Sequence, residues 1–228
     1  MIGIIAAMQK EMDNIAAEMT EAVRESAGGV EFIRGKVNGA EVVCSVCGIG
    51  KVFAAMCAEA MIIKYAPELI INTGVGGTLT SELSISDVAV SDRVCQHDMD
   101  TTALGDEPGL ISGTDKVYFD ADAKVADKIC DIAGAMGIKT HRGTIASGDK
   151  FIADMAEKKR IVDTFGAVCC EMEGAAVGHV CYVNKVPFVI IRAISDDADG
   201  GACDNYMEFA AAAATKSAAI VCALAGQM

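Results

Sequence analysis

Apolar and polar positions alternate between two periods along this chain. IGIIAAM, residues 2–8, is an unbroken apolar run that predicts a buried strand, and a helical pattern follows from Gln9 to about Met19. Residues 28–48, GGVEFIRGKVNGAEVVCSVCG, alternate around Asn38-Gly39 and predict a hairpin. Lys51 to Tyr65 is helical and rich in Ala and Met; LIINTGVGG, residues 69–77, is a buried strand entering a glycine turn. DVAVSDRVCQHD predicts the next strand, and residues 99–117 hold most of the Gly–Pro punctuation and read as one long loop. The pattern then gives a helix from Ala121 to Met136, a strand over THRGTIASGD and a helix from Asp154 to Thr164. The short strand AVCC feeds a helix from Gly174 to Val183, VPFVIIRAIS is a strand, and a closing Ala-rich helix spans Tyr206 to Ala225. Alternating strands and helices without a linker or repeat predict a single α/β domain over residues 1–228, with a central mixed, twisted sheet in a three-layer αβα arrangement.

The polar residues that interrupt this pattern fall at strand ends. In VCCEMEGAAVGHV, residues 168–180, Glu171 and Glu173 stand in a run that is otherwise small and apolar, where a carboxylate needs a partner. The run VPFVIIRAISDD ends in Arg192, Ser195 and Asp196. In open α/β sheets ligands gather at the carboxyl ends of strands, which here deliver Met8 and Glu11, Gly74 to Gly77, Ser147 to Ile152, Glu171 to Glu173, and Arg192 to Asp196. Helix capping accounts for one acid of the Glu171/Glu173 pair and less well for Asp196. On spacing alone Glu11 reads as a first-helix surface residue.

Composition narrows the classes. Of the 228 residues 52% are apolar, enough for a sizeable core, and the net charge of −13 argues against nucleic acids and anionic membranes as partners. No apolar run reaches the ~18 residues of a membrane span, and the N-terminal stretch lacks the basic leader of a secretory signal. Ten cysteines lie scattered through apolar stretches, which predicts reduced thiols in a cytoplasmic protein. Cys44 and Cys47 form a C-x-x-C, but within a strand they point to opposite faces. GIGKV lacks the Ser/Thr and first glycine of a P-loop, and NTGVGG lacks the Rossmann spacing, so its glycines read as allowing a tight turn near a ligand or another backbone. His97, His141 and His179 form no metal-ligand pattern, and there is no G-x-S-x-G.

Taken together, MIGIIAAMQKEM, GIGKVFAA, IINTGVGG, SGDKFI, CEMEGAA and VIIRAISDDADG resemble, in order and across essentially the whole chain, the 5′-methylthioadenosine/S-adenosylhomocysteine nucleosidases of the purine nucleoside phosphorylase superfamily. The resemblance implies a nucleoside phosphorylase-like fold, hydrolysis of the N-glycosidic bond of adenine thionucleosides, no metal or cofactor, and a homodimer. By the same resemblance Glu11 activates the attacking water, with Arg192 and Met8 nearby, while Glu173, beside Met172, holds the ribose hydroxyls. Asp196, positioned by Ser195, protonates adenine N7; Phe151 stacks on adenine, and backbone groups of Phe151 and Ile152 read its edge. Ile49, Leu104 and Tyr206 fall near the 5′ substituent, Leu104 from the partner subunit, and Gly77 and Glu171 adjoin the substrate, although Glu171 also suits the helix start. Val75, Leu104 and Tyr206 depart from the residues common among relatives and bear on 5′-group preference.

The chemistry suits these residue types. Breaking a ribosyl C–N bond builds positive charge on the sugar and negative charge on adenine, so a protonated carboxyl belongs at N7 and an ionised one beneath the sugar. Burial raises a carboxyl's pKa and so favours the acid role of Asp196. Near Met8 the chain offers Glu11, which repels phosphate, so water is the expected nucleophile. Alternatives are an aminofutalosine hydrolase, a phosphate-dependent phosphorylase, and a nucleoside-binding protein without catalysis.

Overall fold

The computed structural model describes residues 1–196 and 202–228, with side chains described except at 202–208. Strand β1 (Ile2–Ala6) lies between β4 (Ala40–Val46) and β5 (Leu69–Thr78), parallel to both. Its alternate residues face opposite cores, as strand geometry requires. Ile4 joins Val42, Ile71, Val189 and Ile191 under three helices, α1 (Gln9–Ala17), α3 (Ala123–Ala135) and α6 (Ala202–Ala225). Ile5 joins Val43, Ile70 and Ile190 under α2 (Lys51–Tyr65) and α5 (Gly174–Asn184). The αβα layering read from the sequence is therefore present, because strands buried on both faces read as continuous apolar runs.

The hairpin turns at Asn38-Gly39, both at positive φ, between β3 (Val30–Val37) and β4. Outside it lies β2 (Thr20–Ala27), which is absent from the sequence reading. It is a mostly exposed edge strand, TEAVRESA, whose polar composition hides its period.

The other half of the sheet is more strongly curved than an open sheet. Strand β5 pairs with β10 (Phe188–Asp196), β10 with β6 (Val88–Gln96), β6 with β8 (Thr140–Ser147), β8 with β9 (Ala167–Glu171), and β9 again with β5. These five strands close into a ring. The expected glycine turn at residues 74–77 is instead the second half of β5, paired with β10 on one side and reaching β9 at Gly77 and Thr78. The loop expected over 99–117 contains a short 3₁₀ turn at Thr102–Leu104 and leads into β7 (Tyr118–Asp120), which pairs with β6. Helix α4 (Met155–Phe165), capped by the Asp154 carboxylate on the Glu157 N–H at 2.9 Å, closes the side of the ring formed by β8 and β9.

Candidate active site

A cavity of about 420 Å³ opens where β1, β5, β9 and β10 end, lined by Met8, Glu11, Phe151, Met172, Glu173 and Asp196 among others. Its wall is mostly apolar, interrupted by a few carboxyl groups, Lys150 and Ser195, the arrangement in which charges act most strongly.

Glu11 is 3% exposed, not a surface residue. It reaches back over the start of α1: one carboxylate oxygen accepts the N–H groups of Ala7 at 3.0 Å and Met8 at 2.9 Å, and the other that of Val75 at 3.2 Å. This is half of a capping box, and the usual sequence cue was missing because Met8, not Ser or Thr, precedes the helix. A Cβ on Gly74 would stand 2.8 Å from the Glu11 carboxylate, so the glycine makes room for the acid. Burial raises the pKa of Glu11, while Arg192 and the three N–H groups pull it down.

The two acids of the CEMEG segment divide their work. Glu171 accepts the N–H of Glu173 at 3.0 Å and of Gly174 at 2.7 Å, and it binds the Arg192 guanidinium and the Ser147 hydroxyl. It caps α5, where the helix dipole favours negative charge. Glu173, 6% exposed, turns away and accepts the N–H of Gly50 at 2.8 Å. Gly50 begins α2 with φ of 100°, a conformation a side chain resists. Burial pushes Glu173 up to about 7, helped by the negative charge of Glu171 and opposed by Arg192.

Arg192 is fully buried behind this pair and is not part of the cavity wall. It donates to the Asn72 carbonyl at 3.1 Å and the Ile191 carbonyl at 2.9 Å, binds Glu171, and lies 3.9 Å from Glu173. Burial opposes its charge, but Glu171, Glu173 and Glu11 outweigh that and raise its pKa.

At the end of β10 the register slips: Ile194 pairs with Gly76 and Asp196 with Gly77, leaving Ser195 as an extra residue. Such a bulge re-aims side chains, and both Ser195 and Asp196 reach the cavity. Asp196 is 3% exposed and accepts the Ser195 hydroxyl at 3.1 Å. A Cβ on Gly77 would meet its carboxylate at 2.6 Å. The glycines of β5 thus admit two side-chain carboxylates to the site, where the sequence suggests a tight turn beside a ligand or another backbone.

The loop after β8 places Phe151, half-exposed, and Ile152, buried, on the cavity wall. It is tied down by Asp149, whose carboxylate accepts the Lys51 N–H at 2.8 Å and whose own N–H donates to Asp98 at 2.9 Å. Lys51 closes the loop with an ammonium contact to Asp98 at 2.6 Å. Asp149→Ala removes the acceptor at the start of α2, an expected loss of about 1–2 kcal/mol. Thermal unfolding followed by circular dichroism should show Tm lower by about 2–8 °C; an unchanged Tm would remove this clamp. The His97 ring, whose nitrogens have no hydrogen-bond partner among the described residues, packs beneath Gly148, and His179 stacks on Phe119; neither lines the cavity.

Ile49 lies at the cavity mouth. Leu104, on the 3₁₀ turn, is 82% exposed and does not enter this chain's own cavity. The side chain of Tyr206 lies outside the described residues. Sequence reasoning missed Lys158, which is buried on α4 with its ammonium 3.8 Å from the Asp196 carboxylate. Its signal was the position, i with Ile161 at i+3 and Phe165 at i+7, on the helix's apolar face.

This mixed sheet with carboxylates gathered over an apolar cleft defines an α/β protein of the nucleoside phosphorylase-like class. The sequence profile described as the phosphorylase superfamily matches residues 1–225, and the chain belongs to that family. Among curated relatives, the 5′-methylthioadenosine/S-adenosylhomocysteine nucleosidase of Shewanella pealeana is 38% identical over 229 residues, covering 100% of this chain and 99% of the relative. A substituted form of the Helicobacter pylori nucleosidase, solved with 5′-methylthioadenosine in its active site, superposes with a TM-score of 0.95 at 30% identity, covering 100% and 98% of the two chains. The futalosine hydrolase of Helicobacter pylori superposes at 0.94 with 29% identity, covering 100% and 97%.

Proposed function

We propose that this chain hydrolyses the N-glycosidic bond of 5′-methylthioadenosine and S-adenosylhomocysteine, releasing adenine and the 5-thioribose product. The observation that carries this reading is the meeting of Glu11, Glu173 and Asp196, each nearly fully buried, on one apolar cleft. Binding a neutral nucleoside does not require three such acids; building and dispersing charge across a C–N bond does. The names of the relatives fit the same chemistry.

In this reading Asp196, steadied by Ser195, gives its proton to adenine N7 as the glycosidic electron pair moves to the base. Glu173 accepts the ribose hydroxyls and, ionised, stabilises the oxocarbenium-like sugar. Glu11 takes a proton from the water that attacks the anomeric carbon. Phe151 stacks on adenine, with backbone groups of Phe151 and Ile152 at its edge and Gly77 alongside; Met8, Met172 and Ile49 flank the sugar and its 5′ substituent. Arg192 acts from behind the wall and Glu171 from within it, together holding α5 and Glu173 in place. Among the described wall residues Lys150 is the only cation, and it pairs with Glu157, so the wall favours water over phosphate as nucleophile.

The same reading includes a homodimer. Val52, Phe53, Met56 and Ile63 form an exposed apolar face of α2 near Ile49, and Leu104 projects from its own chain. Pairing such faces would bury them and carry Leu104 to the partner's 5′ region.

The direct test is adenine release in phosphate-free buffer from 5′-methylthioadenosine and S-adenosylhomocysteine, with 6-amino-6-deoxyfutalosine compared by kcat/KM. Phosphate-independent release from the first two is expected. Turnover of aminofutalosine alone would favour the second reading, to which the futalosine hydrolase superposition points. A phosphate requirement, or binding without release, would overturn hydrolysis.

A pH dependence follows from Glu173. Its pKa in the folded, ligand-free protein is about 7, above the ordinary 4.5, so kcat/KM should fall about tenfold per pH unit below about 7. The same shift contributes stability that is full below about 4.5 and is lost as pH rises through about 7. A kcat/KM profile that stays flat to pH 5 would overturn the requirement for an ionised Glu173 of raised pKa.

A further inference from the structure

Lys158 occupies an apolar position of α4, in line with Ile161 and Phe165, and its side chain and that of Asp196 are each only 4% exposed. Its neighbour Lys159 shows the ordinary alternative, an exposed lysine paired with Asp163 four residues on. A buried ammonium is expensive even when paired, and an apolar residue of similar size beside Ile161 and Phe165 would serve stability as well or better. Among the described residues, what the charge faces is the Asp196 carboxylate. Its Nζ stands 3.8 Å from Asp196 Oδ2, too far for a direct hydrogen bond and close enough for a strong field in a dry site.

The surroundings of Asp196 sharpen this. Ser195 on β10 gives it a neutral hydroxyl. From β9, Cys169 and Cys170 lie within electrostatic reach of it as thiols that burial keeps protonated, Cys170 pushed up to about 12. Glu171 is engaged by Arg192. Among the described residues around Asp196, Lys158 is thus the cation directed at this carboxylate.

We propose that Lys158 is the positioning residue of the acid: its ammonium stabilises the Asp196 carboxylate that forms as the proton leaves. This rests on the nucleosidase reading. In that step the Asp196 O–H bond breaks, an N7–H bond forms, and the glycosidic pair passes to adenine. Asp196 alone gains negative charge on the protein side, and a fixed cation beside it lowers the energy of that change without reorganising.

The experiment compares the unsubstituted protein with Lys158→Met, Lys158→Gln and Lys158→Arg, measuring adenine release from 5′-methylthioadenosine across pH in phosphate-free buffer. Neutral substitutions should lower kcat at its optimum about tenfold or more, leave KM within about threefold, and move the alkaline limb of kcat upward by about one pH unit, as the acid loses its counter-charge. Lys158→Arg should restore most of kcat and return the limb towards its original place. K158Q keeps a polar terminus and serves if K158M does not fold. In an Asp196→Asn background, K158M should bring no further loss of the residual rate. A neutral variant that folds with an unmoved limb and kcat within twofold would overturn the proposal, as would a rise confined to KM that Arg does not rescue. If the unsubstituted protein releases no adenine, the reaction itself fails, and the Lys158 assignment falls with it.

Discussion

Asp196→Asn should leave a folded protein that binds the nucleoside and releases almost no adenine. The amide keeps the shape of the carboxyl and can still hydrogen-bond N7, but it has no proton to give. General acids contribute about 10²–10⁴-fold, and adenine is a poor leaving group as an anion, so a fall in kcat of about 10³-fold is expected, with KM within a few-fold. The surroundings tolerate the change. Ser195, 3.1 Å away, can accept from the amide nitrogen as readily as it donates to the carboxylate, which leaves the amide oxygen to face Lys158. Weakening that charged contact should lower stability by about 1–3 kcal/mol, visible as a modest drop in Tm. Steady-state release of adenine, together with equilibrium binding of a non-hydrolysable adenosine analogue, checks both halves. Release within tenfold of the unsubstituted rate would remove Asp196 from the acid role; lost binding with an intact fold would make it a recognition residue instead.

Where the period of the chain was clear, the architecture was legible. Lys51–Tyr65 forms α2 at the boundaries its pattern sets, and the Asn38-Gly39 turn is where a hairpin signal places it. β2 was not legible because an exposed edge strand carries no apolar alternation. Nor was the closing of β5, β10, β6, β8 and β9 into a ring, since pairing partners depend on curvature that no local period records. The continuation of β5 through residues 74–77 was masked by its glycines, which normally end strands. Here they persist because side chains from elsewhere, the carboxylates of Glu11 and Asp196, occupy the space their own would fill.

The site shows the same division. Glu173 and Asp196 could be suspected as acids placed at the ends of apolar runs, and Glu171 could be assigned to the helix start, where it binds two N–H groups. The apolar-face position of Lys158 was legible, but its pairing with Asp196 and the Asp149–Lys51–Asp98 clamp were not, because each joins segments distant in sequence. Glu11 lies between these cases, and what it does is testable.

Glu11→Gln separates its two duties. The carboxylate offers only acceptors, and three backbone N–H groups, of Ala7, Met8 and Val75, use them. A glutamine presents one acceptor oxygen and one NH₂ group, so at least one of those N–H groups will face another donor. That mismatch should cost about 1–3 kcal/mol, lowering Tm by about 2–12 °C in a chain of this size. The catalytic effect should be larger. With no base to take the proton of the attacking water, kcat should fall by about 10²–10⁴-fold, while a stable substrate analogue should still bind, since the proposed stacking on Phe151 and the proposed contact of Glu173 with the ribose do not involve Glu11. Glu11→Asp should recover little, because the shortened side chain cannot span the Ala7, Met8 and Val75 N–H groups and the water together. Parallel measurement of Tm, analogue affinity and kcat reads the two duties apart. Loss of all three in proportion would mean that Glu11 only holds the start of α1 against β5; loss of kcat alone, with binding and most of the stability kept, is the result a water-activating base requires.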